Sequence, residues 1–215
     1  MVNIAATNAT TLTVTTTTDS GAGSLRNAIT AAGDGDTIQF DTALSGQTIT
    51  LTSAELVIDK NITISGLGPT LLAVSRASNA TNFRIFHVMP GHTVMIEGLT
   101  ISAGHGDGYG FNFARVVLPR SLGYAGGIPN FGTLEISNSI ISDNVADFSS
   151  GGIRKFGMLT ITDSTVTDNH AGSGLLSGYV VGGGIDSSGT LLERRSFLGR
   201  AFEISPATTK LTGTT

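Results

Sequence analysis

The sequence predicts an all-β fold, a parallel β-helix in which short strands stack into a solenoid, and two observations lead to this class. Residues 126–146 and 151–171 are near copies of one another, at a period of 25 residues. A repeat of that length is typical of solenoids, in which each unit is completed by its neighbours. Within each copy, apolar residues alternate with Thr, Ser and Glu between Gly-Gly, Phe-Gly and Asp-Asn pairs. Such runs are short strands joined by tight turns, so each strand can pair in parallel with its equivalent about 4.8 Å away.

Neighbouring segments follow the same template. Residues 94–104 align with residues 134–144 without a gap, and residues 56–66 fit as an earlier unit. A later unit begins at residue 182 and stops matching after Leu191. Asn144 and Asn169 occupy equivalent places, so we expect their amides to stack as a structural ladder. The repeat body therefore spans residues 48–191, with insertions at 105–124 and 172–181.

The N-terminal region, residues 1–47, has a different pattern. A Thr-rich strand at residues 12–18 precedes Ser24, which is well placed to cap a short helix. One face of that helix would carry the apolar residues Leu25, Ala28, Ile29 and Ala32. Because the open end of a β-helix exposes apolar side chains and unpaired backbone, we expect this helix to cover it.

The C-terminal segment, residues 192–215, departs from the repeat, and two interpretations of it remain open. One is a capping helix whose apolar face contains Leu191, Leu198 and Phe202. The other is an off-pattern tail, as a truncated or out-of-frame gene would leave. In that case the open end of the solenoid would favour a homodimer formed by end-to-end stacking.

Composition excludes several classes of function. The 215 residues carry 12 basic and 16 acidic side chains, a net charge of −4, which argues against a nucleic-acid surface. No apolar run approaches the roughly 20 residues that span a bilayer. Without cysteine the chain has no disulfides and no cysteine-based zinc site. We expect no cofactor, with bound Ca²⁺ as the one alternative.

Candidate catalytic residues lie near the two insertions, which should project from one edge of the solenoid. Asp143 and Asp168 are equivalent residues of adjacent repeats, so their backbones should lie about 4.8 Å apart. Two carboxylates at that distance can form an acid–base pair or bind Ca²⁺, although Asp before Asn is also an ordinary solvated turn. His170, His105 and Asp107 lie nearby in the sequence and complete this candidate set.

Candidate ligand-binding residues occupy the insertions themselves. Arg115 and Arg120 could hold an anionic sugar or carboxylate. The three tyrosines of the chain are Tyr109, Tyr124 and Tyr179, and all of them lie in the insertions. Because sugars stack on aromatic rings, this clustering favours a ligand cleft between the insertions. Threonine runs also suggest the flat arrays of ice-binding solenoids, but the counterparts of Thr160 and Thr162 are Glu135 and Ser137.

The chain also resembles a known group of proteins. Three parts of the sequence carry the resemblance: the run DSGAGSLRNAITAAGDGDTIQF, the run LVIDKNITISGLG and the GGI units. They resemble exported bacterial right-handed β-helix repeat proteins, including those related to polymorphic outer-membrane proteins. The resemblance covers about residues 12–191. It implies a right-handed parallel β-helix in an extracellular or cell-surface setting, and it supplies no catalytic motif.

Three functions from different classes are therefore considered. The favoured one is an extracellular β-helix that presents a surface or cleft for carbohydrate or another cell-surface ligand. The first alternative is a carbohydrate-active or ester-cleaving hydrolase or lyase that uses the Asp and His groups named above. The second alternative is a self-assembling structural fragment.

Overall fold

The computed structural model describes residues 9–106, 125–147, 150–172, 183–187, 202–203 and 209–211. Strands dominate these ranges, together with one α-helix and one short 3-10 helix. In chain order the elements are β1 (Thr11–Val14), α1 (Leu25–Ala31), β2 (Thr37–Phe40), the 3-10 helix (Thr42–Leu44), β3 (Gln47–Leu51), β4 (Leu56–Ile58), β5 (Ile62–Ser65), β6 (Leu72–Arg76), β7 (Phe86–Val88), β8 (Thr93–Glu97), β9 (Thr100–Ser102), β10 (His105–Gly106), β11 (Ile128–Asn130), β12 (Thr133–Ser137), β13 (Ile140–Ser142), β14 (Val145–Ala146), β15 (Ile153–Lys155), β16 (Met158–Thr162), β17 (Thr165–Thr167), β18 (His170–Ala171), β19 (Ile185–Ser187), β20 (Phe202–Glu203) and β21 (Thr209–Leu211).

These strands form four sheets, named here A to D. Sheet A has the order β1-β2-β5-β8-β12-β16-β21, and sheet B the order β3-β6-β9-β13-β17-β20. Sheet C has the order β4-β7-β11-β15-β19, and the small sheet D the order β10-β14-β18. Neighbouring strands are parallel except where β20 and β21 join β17 and β16, which they meet in antiparallel orientation. The predicted all-β class with parallel pairing and a short N-terminal helix is thus confirmed.

The chain visits the sheets in a recurring order. From β4 onward it passes from sheet C to sheet A to sheet B, and three times it continues through sheet D before returning to sheet C. Equivalent strands pair in the register expected from the 25-residue repeat, as in Leu134 with Leu159 and Ile136 with Ile161. The alignment of residues 94–104 with 134–144 is likewise the observed register.

The core is made of matched aliphatic rows on the inner faces of the sheets. In sheet A, one row in register is Ile38, Ile64, Ile96, Ile136 and Ile161, each at most 3% exposed. Sheet B contributes the row Ile49, Val74, Ile101, Ile141 and Val166. Because these β-branched side chains suit a pleated half-buried surface, the alternation at period two places the polar partners outside.

The N-terminal helix has the cap and the face that the sequence predicts. Ser24 accepts a hydrogen bond from the backbone N–H of Asn27 at 3.2 Å, which satisfies one of the free donors of the first turn. The predicted apolar residues Leu25, Ala28, Ile29 and Ala32 are all buried. They bring α1 against β1 and β4.

The C-terminal strands lie at the far end of sheets A and B. Phe202, which one interpretation placed on a capping helix, lies instead in strand β20. Leu191 and Leu198 lie outside the described residues. No helix among the described ranges combines the length and the apolar character needed to cross a bilayer.

Candidate functional site

The predicted aspartate pair occupies two equivalent turns. Asp143 and Asp168 directly follow the paired strands β13 and β17, and both are exposed. Each has a left-handed backbone, with φ of 56° and 52°, a conformation that Asp adopts more readily than most residues. Asp168 Oδ2 accepts a hydrogen bond from Thr167 Oγ1 at 2.9 Å. These observations account for both aspartates as turn residues, and their acid–base or Ca²⁺ role stays a prediction.

The predicted histidines lie on sheet D. His105 and His170 share one row, on either side of Val145. His105 Nε2 lies 3.0 Å from Asp147 Oδ1, whereas His170 is exposed. Because His105 and Gly106 form strand β10, the first insertion begins no earlier than residue 107. The acid–base role of the two histidines stays a prediction.

The remaining predicted site residues lie outside the described part of the chain, and they are Asp107, Tyr109, Arg115, Arg120, Tyr124 and Tyr179. The ligand cleft between the two insertions therefore stays a prediction. In the ranges that are described, no group of three or more His, Asp or Glu side chains is placed to hold a metal ion.

Sheet A has the most strands, and the outer side of its six parallel strands is called here the A face. Its outward residues form two rows in register across the strands. The first row is Thr11, Thr37, Thr63, Met95, Glu135 and Thr160, and the second is Thr13, Gln39, Ser65, Glu97, Ser137 and Thr162. A shorter third row is Thr93, Thr133 and Met158. At the usual strand spacing the long rows extend about 24 Å.

The chemistry of the A face is that of free hydroxyls. Its six strands contain no Lys or Arg, and its only charged side chains are Glu97 and Glu135. Two local pairs occur: Gln39 Nε2 donates to Thr13 Oγ1 at 3.3 Å, and Ser65 Oγ donates to Glu97 Oε1 at 2.6 Å. Within the described part of the chain, the other hydroxyls of the face make no side-chain hydrogen bond, so they can donate to and accept from a ligand.

Sheet B carries a comparable hydroxyl row that is less available. The outward residues Thr50, Ser75, Ser102, Ser142 and Thr167 pair in register. Ser142 is only 9% exposed, however, and the hydroxyl of Thr167 already donates to Asp168. Ser75 Oγ also donates to a backbone carbonyl, that of Arg76. The A face is therefore the better candidate for a ligand surface.

Two phenylalanine rings beside the A face stack on each other rather than offering a platform. Phe131 and Phe156 lie 4.4 Å apart at an interplanar angle of 4°. The guanidinium of Arg154 lies 4.8 Å from the centre of the Phe156 ring, and the His87 ring lies 5.5 Å from that of Phe131. The four groups form one row of contacts, in which the His87 ring is tilted by 50° to Phe131, and this row stabilises the turns.

Ionic clusters hold the N-terminal half together. Burial alone would raise the pKa of Glu55, but a hydrogen bond with His87 at 3.2 Å and the Arg84 guanidinium outweigh it and lower that pKa. Burial would likewise raise the pKa of Asp19, but hydrogen bonds from Ser53 and Arg26 hold it below its ordinary value. The Asp19 contacts tie α1, through Arg26, to Ser53 near the start of the repeats.

Asp36 has a lowered pKa for a different reason. Its carboxylate accepts hydrogen bonds from the backbone N–H groups of Gly33, at 2.8 Å, and of Thr10, at 2.7 Å. A carboxylate that accepts backbone N–H bonds is favoured in its charged form. Asp36 thus closes the turn between α1 and β2.

No protein-family model, curated protein or solved structure matches this chain. The candidate site is therefore defined by its own geometry. Sequence reasoning missed the A face because it compared threonines only within the 25-residue repeat. The signal was present nearer the N-terminus, where Thr11, Thr37 and Thr63 recur every 26 residues.

Proposed function

We propose that this protein is a right-handed parallel β-helix whose A face binds a neutral polysaccharide outside the cell. The recurring order of sheets C, A and B and the matched registers support a winding chain. Parallel strands of one sheet that are joined by a crossover are right-handed in about 98% of cases, which supports the handedness. An extracellular or cell-surface setting follows from the proposed ligand.

The observation that carries the proposal is the pair of hydroxyl rows on the A face. Such rows repeat donors and acceptors at the strand spacing of about 4.8 Å, so they suit a polymer that repeats its own hydroxyls. These six strands carry no Lys or Arg, so they offer an anionic polymer none of its usual partners, and the nearest cation of sheet A is Lys210, which pairs with Thr160 at one edge. Glu97 and Glu135 further disfavour an anionic ligand and add acceptors for sugar hydroxyls.

Binding on such a face should depend on ligand length. The outward residues of the six strands include no aromatic ring, so each sugar unit makes only hydrogen bonds of modest net strength. Many weak contacts along one polymer add up, because once one sugar unit is bound its neighbours are held at a high effective concentration near the face. We therefore expect strong retention on a polymer and weak binding of a monosaccharide.

The interruption of the first row argues for a polysaccharide rather than for ice. Met95 and Glu135 interrupt the first row between Thr63 and Thr160. A crystal lattice of water would require matched hydroxyls in every strand, whereas a flexible polymer can adjust to the interruption. Arrest of ice growth without retention on any polysaccharide would overturn the proposal.

The experiment is a retention assay on insoluble polymers. Purified protein is incubated with cellulose, chitin or mannan, which are neutral, and with pectate or alginate gels, which are anionic. We expect retention on at least one neutral polymer and none on the anionic gels. Retention only on the anionic gels, or on no polymer, would refute the assignment.

A matched pair of variants identifies the face. Thr63→Lys places a long cation at the centre of the A face, and Thr50→Lys places the same side chain on the exposed outer side of sheet B. Because Thr63→Lys blocks neighbouring hydroxyls, we expect the dissociation constant to rise about tenfold. Thr50→Lys should leave it unchanged, and an equal effect of both variants would count against the A face.

A further inference from the structure

Strand β21 closes the C-terminal end of sheet A in the direction opposite to its neighbours. The other strands of that sheet pair in parallel, whereas β21 meets β16 in antiparallel orientation, with Leu211 opposite Leu159 and Thr209 opposite Ile161. Strand β20 meets β17 in the same antiparallel manner at the end of sheet B. Both strands belong to the C-terminal segment that departs from the repeat. The edge that a further repeat would use is therefore taken by a segment that is not a repeat.

The order in which the chain reaches these sheets is also reversed. Strand β19 begins another turn in sheet C, parallel to β15. In every earlier turn from β4 onward, the chain goes from sheet C to sheet A and then to sheet B. After β19, the next described strands are β20 in sheet B and then β21 in sheet A. Because a solenoid grows by repeating one winding order, this reversal ends it.

The backbone of β16 shows which groups β21 covers. The N–H of Met158 donates to the carbonyl of Gly132 at 2.9 Å, on the β12 side. Successive N–H groups of a strand point to opposite sides, so those of Leu159 and Ile161 point away from β12 and towards β21. Without β21, these amides and their carbonyls would form an open strand edge, and such an edge can pair with another chain.

A second copy of β16 fits this edge. Two copies related by a two-fold axis bring the same edge together in antiparallel orientation, which is the orientation that β21 adopts. With Thr160 opposite its counterpart, Leu159 of each copy lies opposite Ile161 of the other, so all four amides point at the facing strand. Head-to-tail stacking is obstructed, because α1 packs against β1 and β4 at the N-terminal end.

We propose that β21 is an autoinhibitory strand, which occupies the edge of β16 through which a second copy of this chain would otherwise bind. The full chain is then a monomer, and release of β21 produces a two-fold dimer. In that dimer sheet A continues from one copy into the other, so the two A faces become one surface. The proposal rests on strand pairing alone and does not depend on which ligand the A face binds.

Hydrogen exchange of the unmodified full chain, followed by NMR, tests whether β21 covers the edge. We expect the amides of Leu159 and Ile161 to be protected, as is that of Thr160, whose N–H points at β12. Light scattering on the same sample should give the monomer mass of 22.0 kDa. Fast exchange at Leu159 and Ile161, or a dimer of the unmodified chain, would overturn the proposal.

Proline substitutions in the full chain release the strand and supply a matched control. In the observed register, the N–H groups of Thr209 and Leu211 face β16, and that of Lys210 faces away from it. Leu211→Pro removes one ladder donor and Thr209→Pro/Leu211→Pro removes both, whereas Lys210→Pro keeps both, as proline on an edge strand can. In Leu211→Pro we expect the Thr209 amide to exchange about tenfold faster.

The masses of these variants decide the proposal. Leu211→Pro and the double variant should approach twice 22.0 kDa as the protein concentration rises, and Lys210→Pro should stay at 22.0 kDa. A monomeric double variant at every concentration would refute the autoinhibitory role of β21. Masses beyond the dimer would show an open-ended contact instead of a two-fold one. Equal dimerisation of Lys210→Pro would show that the ladder to β16 is not what blocks association.

Discussion

The side-chain amide of Asn144 donates a hydrogen bond to Asn169 Oδ1 at 2.9 Å, although the two residues are 25 positions apart in the chain. Asn169 Oδ1 also accepts from the backbone N–H of Asn144 at 3.1 Å. Asn144 Oδ1 in turn accepts from the N–H of Gly104 at 2.9 Å. The predicted amide ladder is therefore present, and it satisfies backbone groups of three successive turns.

The ladder should carry measurable stability. Asn144 is fully buried, and Asn144→Leu keeps the volume while orphaning the N–H of Gly104 and the carbonyl of Ile101. Each orphaned group costs about 1–3 kcal/mol, so we expect a loss of about 3 kcal/mol in the free energy of unfolding, measured by urea denaturation. Asn79→Leu, at an exposed position, is the matched control. Equal losses in both variants would contradict the ladder's role.

Ala103 should be a site of stored strain. It has a φ of 56° and occupies the turn position that Asp143 and Asp168 hold in later repeats. An alanine in the left-handed region costs about 1–2 kcal/mol, so Ala103→Gly should raise the melting temperature by about 3 °C. Ala73→Gly, within strand β6, should lower it, because glycine weakens a strand. A lower melting temperature for Ala103→Gly would be the contrary result.

Acid should remove the contribution of the N-terminal carboxylates to the free energy of unfolding. The pKa values of Glu55, Asp19 and Asp36 are lowered in the fold, so their stabilisation is present above their unfolded values near about 4 and is lost as the pH falls through the folded values. Glu55→Gln should cost about 2 kcal/mol at pH 7 and progressively less below about pH 4. Urea midpoints across pH measure this difference.

The control for the acid experiment removes a carboxylate from the surface. Glu135 is exposed on the A face, so Glu135→Gln should change the midpoints less than Glu55→Gln does. If the urea midpoints of Glu55→Gln and the wild type differed by the same amount from pH 7 to pH 3, the charge of Glu55 would not contribute to stability.

The stacked rings of Phe131 and Phe156 should be energetically coupled. Phe131 and Phe156 are parallel at 4.4 Å, and such pairs contribute about 0.5–1.5 kcal/mol beyond their buried area. In a double-mutant cycle of Phe131→Leu and Phe156→Leu, the two losses of unfolding free energy should differ from additivity by about 1 kcal/mol. Strict additivity would mean that the rings only fill space.

The strand pattern, the N-terminal cap and the amide ladder could be predicted because each rests on local rules repeated along the chain. The helix cap at Ser24 and the apolar helix face can be predicted from residue spacing alone. The contact between Asn144 and Asn169 can be predicted from the repeat alone. The A face could not be predicted from such local rules, because its rows arise from registers between strands that are separated by different numbers of residues. Thr63 pairs with Met95 across 32 positions, which a fixed period of 25 does not reveal.

The candidate site also depends on contacts without a local signature. Met95 interrupts the first row of the A face because β5 pairs with β8, and nothing around Met95 in the sequence marks that pairing. The sequence also directed attention to Asp143 and Asp168, which lie in left-handed turns and whose chemical role stays a prediction. Repetition thus located the scaffold, and the pairing of the strands located the surface.

Hydroxyl-radical footprinting with and without the retained neutral polysaccharide tests whether the polymer lies on the A face. Met158 and Met95 lie on the A face and oxidise readily, while Val57 and Leu71, each 43% exposed, report on surfaces outside it. We expect bound polymer to protect Met158 and Met95 and to leave Val57 and Leu71 unchanged. Protection of Val57 or Leu71 with no change at Met158 and Met95 would contradict it.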